Sequence, residues 1–224
     1  MKEKKHLVKT LLTLCILAIS LSFAPVQAKA ASNTKLMTQY LKYYKQKNYK
    51  KAASTLKKMK KSNKDTSLKK MSKKQKTAYK KVVKKYGKSF SPSGGNYLWG
   101  YYLADLNKDK KPELLVKYGS CEADVRTFIY TYTKGKAKQI AEFGSGHTGY
   151  VAYPGKGVVQ VMGHMGYCYV SVITMKNGAI TTKEYGSQDL NKDGGDYVLP
   201  ENYLYNHIKY DSNYNSKVDY SDLK

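Results

Sequence analysis

The stretch DLNKDKKPELLV, residues 105–116, decides how the second half of this chain is interpreted. Asp105, Asn107 and Asp109 stand at alternate positions, a Lys-Pro pair follows, and an apolar run begins at Leu114. The residues directly before it, 97–104, alternate in the manner of a half-buried β-strand. The sequence therefore predicts that this stretch is a polar connection that ends in the start of a second strand.

Six segments of strand-like character follow the connection at short, regular intervals. The pairs Lys134-Gly135 and Asn177-Gly178 fall between such segments, and Asn-Gly is a strong hairpin-turn signal. The segments are rich in Tyr and Val, which suit a pleated, half-buried surface. We expect an antiparallel β-meander of about seven strands. Its segments after the first are ELLVKY, RTFIYTYT, AKQIAEF, GVVQVM, CYVSVITM and AITTKEY.

The region before the meander has a different composition and a different period. Residues 31–90 carry 21 lysines and one acidic residue, Asp65. Apolar side chains recur in three runs at the three- and four-residue spacing of a helix, which predicts about three amphipathic helices with lysine on their outer faces. The predicted fold class is α+β. The three runs are Met37, Tyr40, Leu41, Tyr44; Tyr49, Ala52, Ala53, Leu56; and Leu68, Met71, Gln75, Ala78, Val82, Tyr86.

The first 30 residues have the pattern of a secretory signal peptide. A lysine-rich start precedes an apolar stretch over 11–24, and small residues stand at Ala28 and Ala30. No later segment is long and apolar enough to predict a membrane span. We expect a secreted protein, extracellular or associated with the cell wall. The predicted divisions are a signal peptide (1–30), a helical region (31–88), a linker (89–95), a β domain (96–186) and a C-terminal segment (187–224).

The connection at 105–113 offers a set of oxygen donors for a hard cation. Asp105, Asn107, Asp109 and Glu113 would supply side-chain oxygens, and Lys111 a backbone carbonyl. Such a set suits calcium.

The same residues resemble the calcium loops of FG-GAP and VCBS-type repeats, in which D-x-[DN]-x-D-G-x-x-[DE]-L joins two strands. The resemblance covers about 12 residues and implies a calcium loop at 105–113. Lys110 stands where that family prefers glycine for a sharp turn. The alternative interpretation is a polar hairpin loop that binds nothing.

The C-terminal stretch DSNYNSKVDYSDL resembles a dockerin or EF-hand half-motif. The resemblance implies a second calcium loop, entered by a short helix over 200–210 with Pro200 at its first position. The alternatives are a polar tail and a scaffold subunit that docks through this loop. Six residues occupy ligand positions: Asp211, Asn213, Asn215, Lys217 through its carbonyl, Asp219 and Asp222.

Two histidines occur in matching pentads, GHTGY and GHMGY, at His147 and His164. If the ends of the strands converge, these histidines with Cys121 and Glu122 or Asp124 form a candidate zinc site or a Cys–His nucleophilic pair. The alternative to a functional site is that the two histidines only pack at the glycine-rich ends of strands. In an oxidising compartment Cys121 and Cys168 are candidates for a disulfide, which would exclude a thiol mechanism.

The formal net charge of +25 indicates anionic partners. Lysine clusters bind polyanions by counterion release, and lysine rather than arginine argues against specific nucleic-acid recognition. The alternative is that the charge serves solubility. We predict a non-enzymatic, calcium-binding cell-surface protein of bacterial type whose basic region binds envelope polyanions and whose β domain contacts extracellular protein or glycan. No catalytic residue is assigned. The alternative function is a secreted metal-dependent or Cys/His hydrolase centred on the two GHxGY segments.

Overall fold

The computed structural model describes residues 33–61, 63–87, 95–193, 198–210 and 216–224. It confirms the α+β class, because lysine-rich helices precede antiparallel β-sheets. The predicted signal peptide, and the predicted linker apart from Gly95, lie outside the described residues.

Three helices form in the basic region, as the periodicity predicts. Helix α1 covers 33–45, α2 covers Tyr49–Lys57 and α3 covers Lys73–Lys85. Side-chain caps define two of the starts: Asn48 accepts a hydrogen bond from the Lys51 N–H, and Ser72 accepts one from the Gln75 N–H. These caps satisfy backbone donors that a first helical turn leaves without partners.

The strands are antiparallel and connected in chain order, as predicted, and they divide into two meanders. Within the described residues each meander is a four-stranded antiparallel sheet whose strands are neighbours in chain order. A two-stranded ribbon, a short helix α4 (Leu190–Asp193) and a 3-10 helix (Ser221–Leu223) complete the fold. Sheet 1 contains β1 (Tyr97–Ala104), β2 (Glu113–Gly119), β3 (Arg126–Thr133) and β4 (Lys136–Gly144); sheet 2 contains β5 (Thr148–Tyr153), β6 (Gly157–His164), β7 (Tyr167–Lys176) and β8 (Ala179–Asp189); the ribbon contains β9 (Ile208–Tyr210) and β10 (Ser216–Val218).

The additional strand is β5, which begins inside the glycine-rich GHTGY pentad. Its two glycines weaken the sequence pattern of a strand, so the segment is easily taken for a loop. The hairpin turns were predicted correctly at both positions. Gly135 and Gly178 have φ of 78°, and their partners Lys134 and Asn177 are also left-handed, as a two-residue hairpin loop requires.

The core has four layers: α3, sheet 1, sheet 2, and then α1 with α2. Tyr79 and Val83 of α3 pack on one face of sheet 1, and Tyr40 and Tyr44 of α1 pack on the outer face of sheet 2. A third cluster joins the inner faces of the two sheets and includes Leu115, Ile129, Tyr150, Val158 and Ile173. The composition boundary in the sequence is therefore not a boundary in packing, because the basic helices share cores with both sheets.

The predicted helix over 200–210 is wrong. Residues 198–207 have no regular secondary structure, and Ile208–Tyr210 is a strand. Backbone hydrogen bonds to the sheets replace helical ones: the Tyr101 N–H donates to the Asn206 carbonyl at 2.9 Å, and the Leu204 N–H donates to Tyr150. Tertiary pairing outweighs the local preference of this segment.

In the part of the chain that the structure describes, no helix is long and apolar enough to cross a membrane.

Candidate functional site

The acidic connection lies between β1 and β2, and its side chains fold back onto their own backbone. The carboxylate of Asp105 accepts hydrogen bonds from the N–H groups of Asp109 (3.2 Å) and Lys110 (3.0 Å). Asn107 Oδ1 accepts from the Asp109 N–H at 3.1 Å, and Asp109 Oδ1 accepts from the Lys111 N–H at 2.7 Å. Three of the predicted donors are therefore gathered around one tight turn.

Two carboxylates at this turn are buried. Asp105 is 0% exposed and Glu113 is 2% exposed. Burial raises the pKa of Asp105, and it raises the pKa of Glu113 to about 7. Glu113 accepts hydrogen bonds from the Leu106 N–H and the Thr131 hydroxyl, at 2.9 and 3.2 Å. Among the described residues no lysine, arginine or histidine forms an ion pair with either carboxylate.

The turn adopts the backbone that a glycine would favour. Lys110 has φ of 65° and Lys108 has φ of 69°. The left-handed region costs a residue with a Cβ roughly 1–2 kcal/mol. The sharp turn expected of a calcium loop is therefore present, with lysine in the strained position.

The loop fits a hard cation in its type of donor. Carboxylate, amide and backbone carbonyl oxygens are the ligands that calcium prefers. No group of three His, Cys, Asp or Glu side chains in the described ranges has the arrangement of a metal site. The fit therefore rests on the buried, unpaired carboxylates of Asp105 and Glu113 and on the neutral oxygens of the turn.

The C-terminal loop uses its described carboxylates in another way. Asp211, Asn213 and Asn215 lie outside the described residues, and Lys217 lies in β10 opposite Lys209.

Asp219 is held by donors of the protein itself. It accepts from Lys209 Nζ (3.0 Å), from the Tyr205 hydroxyl (3.0 Å) and from the Ser221 N–H (2.9 Å). Burial acts to raise the pKa of Asp219, but these donors outweigh it and the pKa is lowered.

Asp222 lies between the ammonium group of Lys64 and the imidazole ring of His207. Its Oδ2 is 2.8 Å from Lys64 Nζ and 2.9 Å from His207 Nε2. Burial acts to raise the pKa of Asp222, and Lys64 and His207 lower it overall. The described carboxylates of this loop are thus neutralised within the protein.

His207 is a residue that sequence reasoning missed. It is 2% exposed, and its Nδ1 lies 2.8 Å from the Tyr101 carbonyl oxygen. Its two ring nitrogens therefore face two acceptors, this carbonyl and the carboxylate of Asp222. No motif in the sequence marks this isolated histidine.

The two pentad histidines do come together. The rings of His147 and His164 stack with centroids 4.2 Å apart. Glu122 Oε2 accepts a hydrogen bond from the backbone N–H of His147 at 2.5 Å. The same oxygen lies 3.9 Å from the ring Nδ1 of His147. Asp124 instead accepts hydrogen bonds from Ser120 and from the Cys121 N–H, so it stabilises its own turn.

The candidate disulfide between Cys121 and Cys168 does not form, because both cysteines are free. Cys121 is exposed in the β2–β3 connection, whereas Cys168 is buried in β7 within the cluster that α1 covers. Burial raises the pKa of the Cys168 thiol. Of the two thiols, only Cys121 is exposed on the protein surface.

The lysines of the helical region form a solvent-facing surface. The apolar stripes of α1, α2 and α3 are buried on the sheets, which leaves lysine on the outer faces. Among the described residues of this region, only Lys61 and Lys64 form ion pairs, with Glu201 (2.7 Å) and Asp222. We call the lysine-covered outer surfaces of α1, α2 and α3, taken together, the basic face.

The chain matches no protein-family model, no curated protein and no solved structure.

Proposed function

We propose that this protein is a secreted, non-enzymatic binding protein of the cell surface that holds envelope polyanions on its basic face. The observation that carries the proposal is the exposure of nearly all the lysines of α1–α3 with few carboxylates to neutralise them. Lysine ammonium groups are strongly hydrated point charges, which suit anionic polymers better than planar, bidentate recognition. Wall teichoic acids, anionic phospholipid surfaces and acidic glycans have the required chemistry.

A second surface supports a binding role for the β domain. Met165, Tyr167 and Tyr169 are 80%, 39% and 40% exposed, and the two tyrosine rings stack. Exposed aromatic and methionine side chains are enriched in interaction surfaces. This surface is where we propose contact with extracellular protein or glycan.

The proposal includes one structural calcium in the β1–β2 loop. The ion would be held by the backbone carbonyl of Lys111 and by side-chain oxygens of four residues: Asp105, Asn107, Asp109 and Glu113. The buried carboxylates of this loop support the assignment, because burying an uncompensated negative charge is costly and a bound cation removes that cost. The calcium would stabilise the hairpin between β1 and β2.

Retention on a polyanion tests the main proposal. Binding to soluble poly(glycerol phosphate) should weaken steeply as salt rises, since each neutralised phosphate releases a counterion. A variant with five lysines of α3 changed to Gln should bind the polymer more weakly and with a smaller salt dependence than the wild type. The five are Lys73, Lys74, Lys81, Lys84 and Lys85.

The matched control changes five exposed lysines of the β region, so net charge falls by the same amount. The proposal fails if this control weakens binding as much as the α3 variant, or if the protein does not bind the polymer at low salt. The control lysines are Lys134, Lys136, Lys138, Lys176 and Lys183.

Thermal unfolding in EDTA and across a calcium titration tests the calcium site, with magnesium for comparison. A cation that binds only the folded state adds about 2.7 kcal/mol at a hundredfold excess over Kd. Asp105→Asn should abolish the calcium-specific rise in Tm, and Asp219→Asn should leave it unchanged. An unchanged Tm in calcium would contradict the assignment.

One observation favours the alternative function, a secreted metal-dependent or Cys/His hydrolase: His147 and His164 stack beside Glu122 on the protein surface. Under that alternative, His147→Ala or His164→Ala abolishes a measured hydrolytic turnover while fold and Tm stay unchanged. The same variants should leave polyanion binding intact if the main proposal is correct.

A further inference from the structure

A cavity of about 640 Å³ lies where α1, the β1–β2 loop and the β5–β6 turn meet. Four lysines line it: Lys35 from α1, Lys108 and Lys110 from the loop, and Lys156 from the turn. The other lining groups are hydroxyl, amide and backbone groups, including Thr38 and Ser67, and no carboxylate is among the described lining residues. We call this the lysine cavity. Its volume lies in the range of small-ligand pockets.

The four lysines are brought together by tertiary structure, since their three segments are far apart in the sequence. Like charges that share a cavity repel each other, and this costs folding free energy unless an anion is bound. Within the described residues none of the four forms an ion pair with a carboxylate. The arrangement is therefore complementary to an anionic ligand.

Neighbouring hydroxyl groups order part of the wall. Lys156 Nζ donates to Thr38 Oγ1 at 3.3 Å, and Thr38 Oγ1 lies 2.8 Å from the Tyr153 hydroxyl. This network fixes Lys156 against α1, which lowers the entropy that an ammonium group loses on binding an anion.

The β1–β2 loop supplies another part of the wall through its unusual backbone. Asp105 and Asp109 accept hydrogen bonds from backbone N–H groups of their own turn, whereas Lys108 and Lys110 line the cavity. Both lysines have positive φ. The alternation of acid and lysine in DLNKDK thus places the two charge types in different surroundings.

We propose that the lysine cavity binds a phosphate group of a phosphodiester-linked polyol polymer, with the four ammonium groups on the phosphate oxygens and nearby hydroxyls on the polyol. Lysine is a common phosphate-binding residue that acts as a point charge. This inference rests on the proposed polyanion binding and names the class of polymer and the place where one repeat unit docks.

The test uses sn-glycerol 3-phosphate as the probe, titrated into the full protein at fixed ionic strength and followed by NMR or calorimetry. The double variant Lys35→Gln/Lys156→Gln should bind the probe at least about tenfold more weakly, since hydrogen bonds to charged groups contribute on this order. The matched control Lys84→Gln/Lys85→Gln removes the same charge from the end of α3 and should change affinity less than about twofold. Neither pair lies in the proposed calcium loop.

The outcomes separate this inference from the proposed function. The lysine cavity is not a binding site if both double variants weaken the binding of the probe equally, or if the wild type does not bind the probe. This holds even where poly(glycerol phosphate) is still retained. If the polymer is not retained either, the proposed function also fails. Galacturonate that binds as well as the phosphate probe would overturn the assignment to phosphate.

Competition distinguishes the sources of the phosphate. Soluble poly(glycerol phosphate) should displace the probe from the cavity, and vesicles of phosphatidylglycerol should not. Displacement by the vesicles alone would overturn the polymer assignment in favour of a lipid headgroup.

Discussion

The β1–β2 loop and the C-terminal loop have similar acidic sequences and opposite electrostatics. In the first, burial raises the pKa of Asp105 and Glu113, and no described cation pairs with them. In the second, Lys64, Lys209 and His207 hold Asp219 and Asp222, whose pKa values are lowered although burial acts to raise them. The comparison teaches that the spacing of carboxylates does not define a cation site. Their neighbours in space decide whether the protein has already neutralised them.

The largest expected effect comes from Glu113. Its pKa of about 7 in the folded protein exceeds its ordinary value of 4.5, so the folded state binds a proton more tightly than the unfolded state. In EDTA, the contribution of Glu113 to stability should be fully present below about pH 4.5 and should fall by about 3 kcal/mol as pH rises through 7. Glu113→Gln should flatten this pH dependence in chemical denaturation between pH 4 and 8.

Calcium should reverse the trend, because the ion favours the charged form of Glu113 and competes with its proton. Exposed Glu184 provides the control, since Glu184→Gln should leave the pH profile as it is in the wild type. Equal pH profiles for the wild type and Glu113→Gln would show that the two loops do not differ in the way described above.

An intermediate effect is expected in the C-terminal loop. Asp222→Asn removes the ion pair with Lys64 and leaves the buried His207 without its carboxylate, which should cost about 2 kcal/mol at pH 7. Because the pKa of Asp222 is lowered from its ordinary value of 3.8, the difference from wild type should be complete above that pH and narrow below it.

Denaturant titration at pH 7 and at pH 3 measures this difference. Lys217→Gln, an exposed change in β10, should stay within about 0.5 kcal/mol of the wild type. A cost at pH 3 as large as that at pH 7 would mean that lost packing, rather than lost charge, accounts for the effect.

The smallest effect concerns the turn itself. Lys110→Gly should relieve the left-handed strain at φ of 65° and raise stability by about 0.5 kcal/mol, after the added flexibility of glycine in the unfolded chain is counted. The same change should tighten calcium binding, because glycine enters this turn freely.

Lys134→Gly is a matched comparison, since Lys134 is also left-handed, in the β3–β4 hairpin, and is not among the proposed calcium ligands. It should give a similar gain in Tm without any change in calcium affinity. If Lys110→Gly leaves calcium affinity unchanged as well, the turn does not limit cation binding.

Local patterns in the sequence were sufficient for the helices, most strands and the turns. Helix α1 is predictable because the spacing of its apolar residues matches the helical turn; these residues are Met37, Tyr40, Leu41 and Tyr44. The β7–β8 hairpin is predictable because both residues of Asn177-Gly178 accept positive φ. The place where the carboxylates of 105–113 gather was also predictable, since these residues are close along the chain.

Contacts between distant residues decided the rest. The glycine-rich pentad at 146–150 contains the start of β5, the first strand of sheet 2, and residues 198–207 bond to the sheets instead of forming a helix. Cys168 is buried under α1 while Cys121 stays exposed, so spacing could not reveal that both are free. The lysine cavity and the contacts of His207 depend on residues that the sequence separates widely. Sequence alone determined which backbone conformations are locally favoured, and tertiary structure determined which charges meet, because electrostatic energy depends on distance in space.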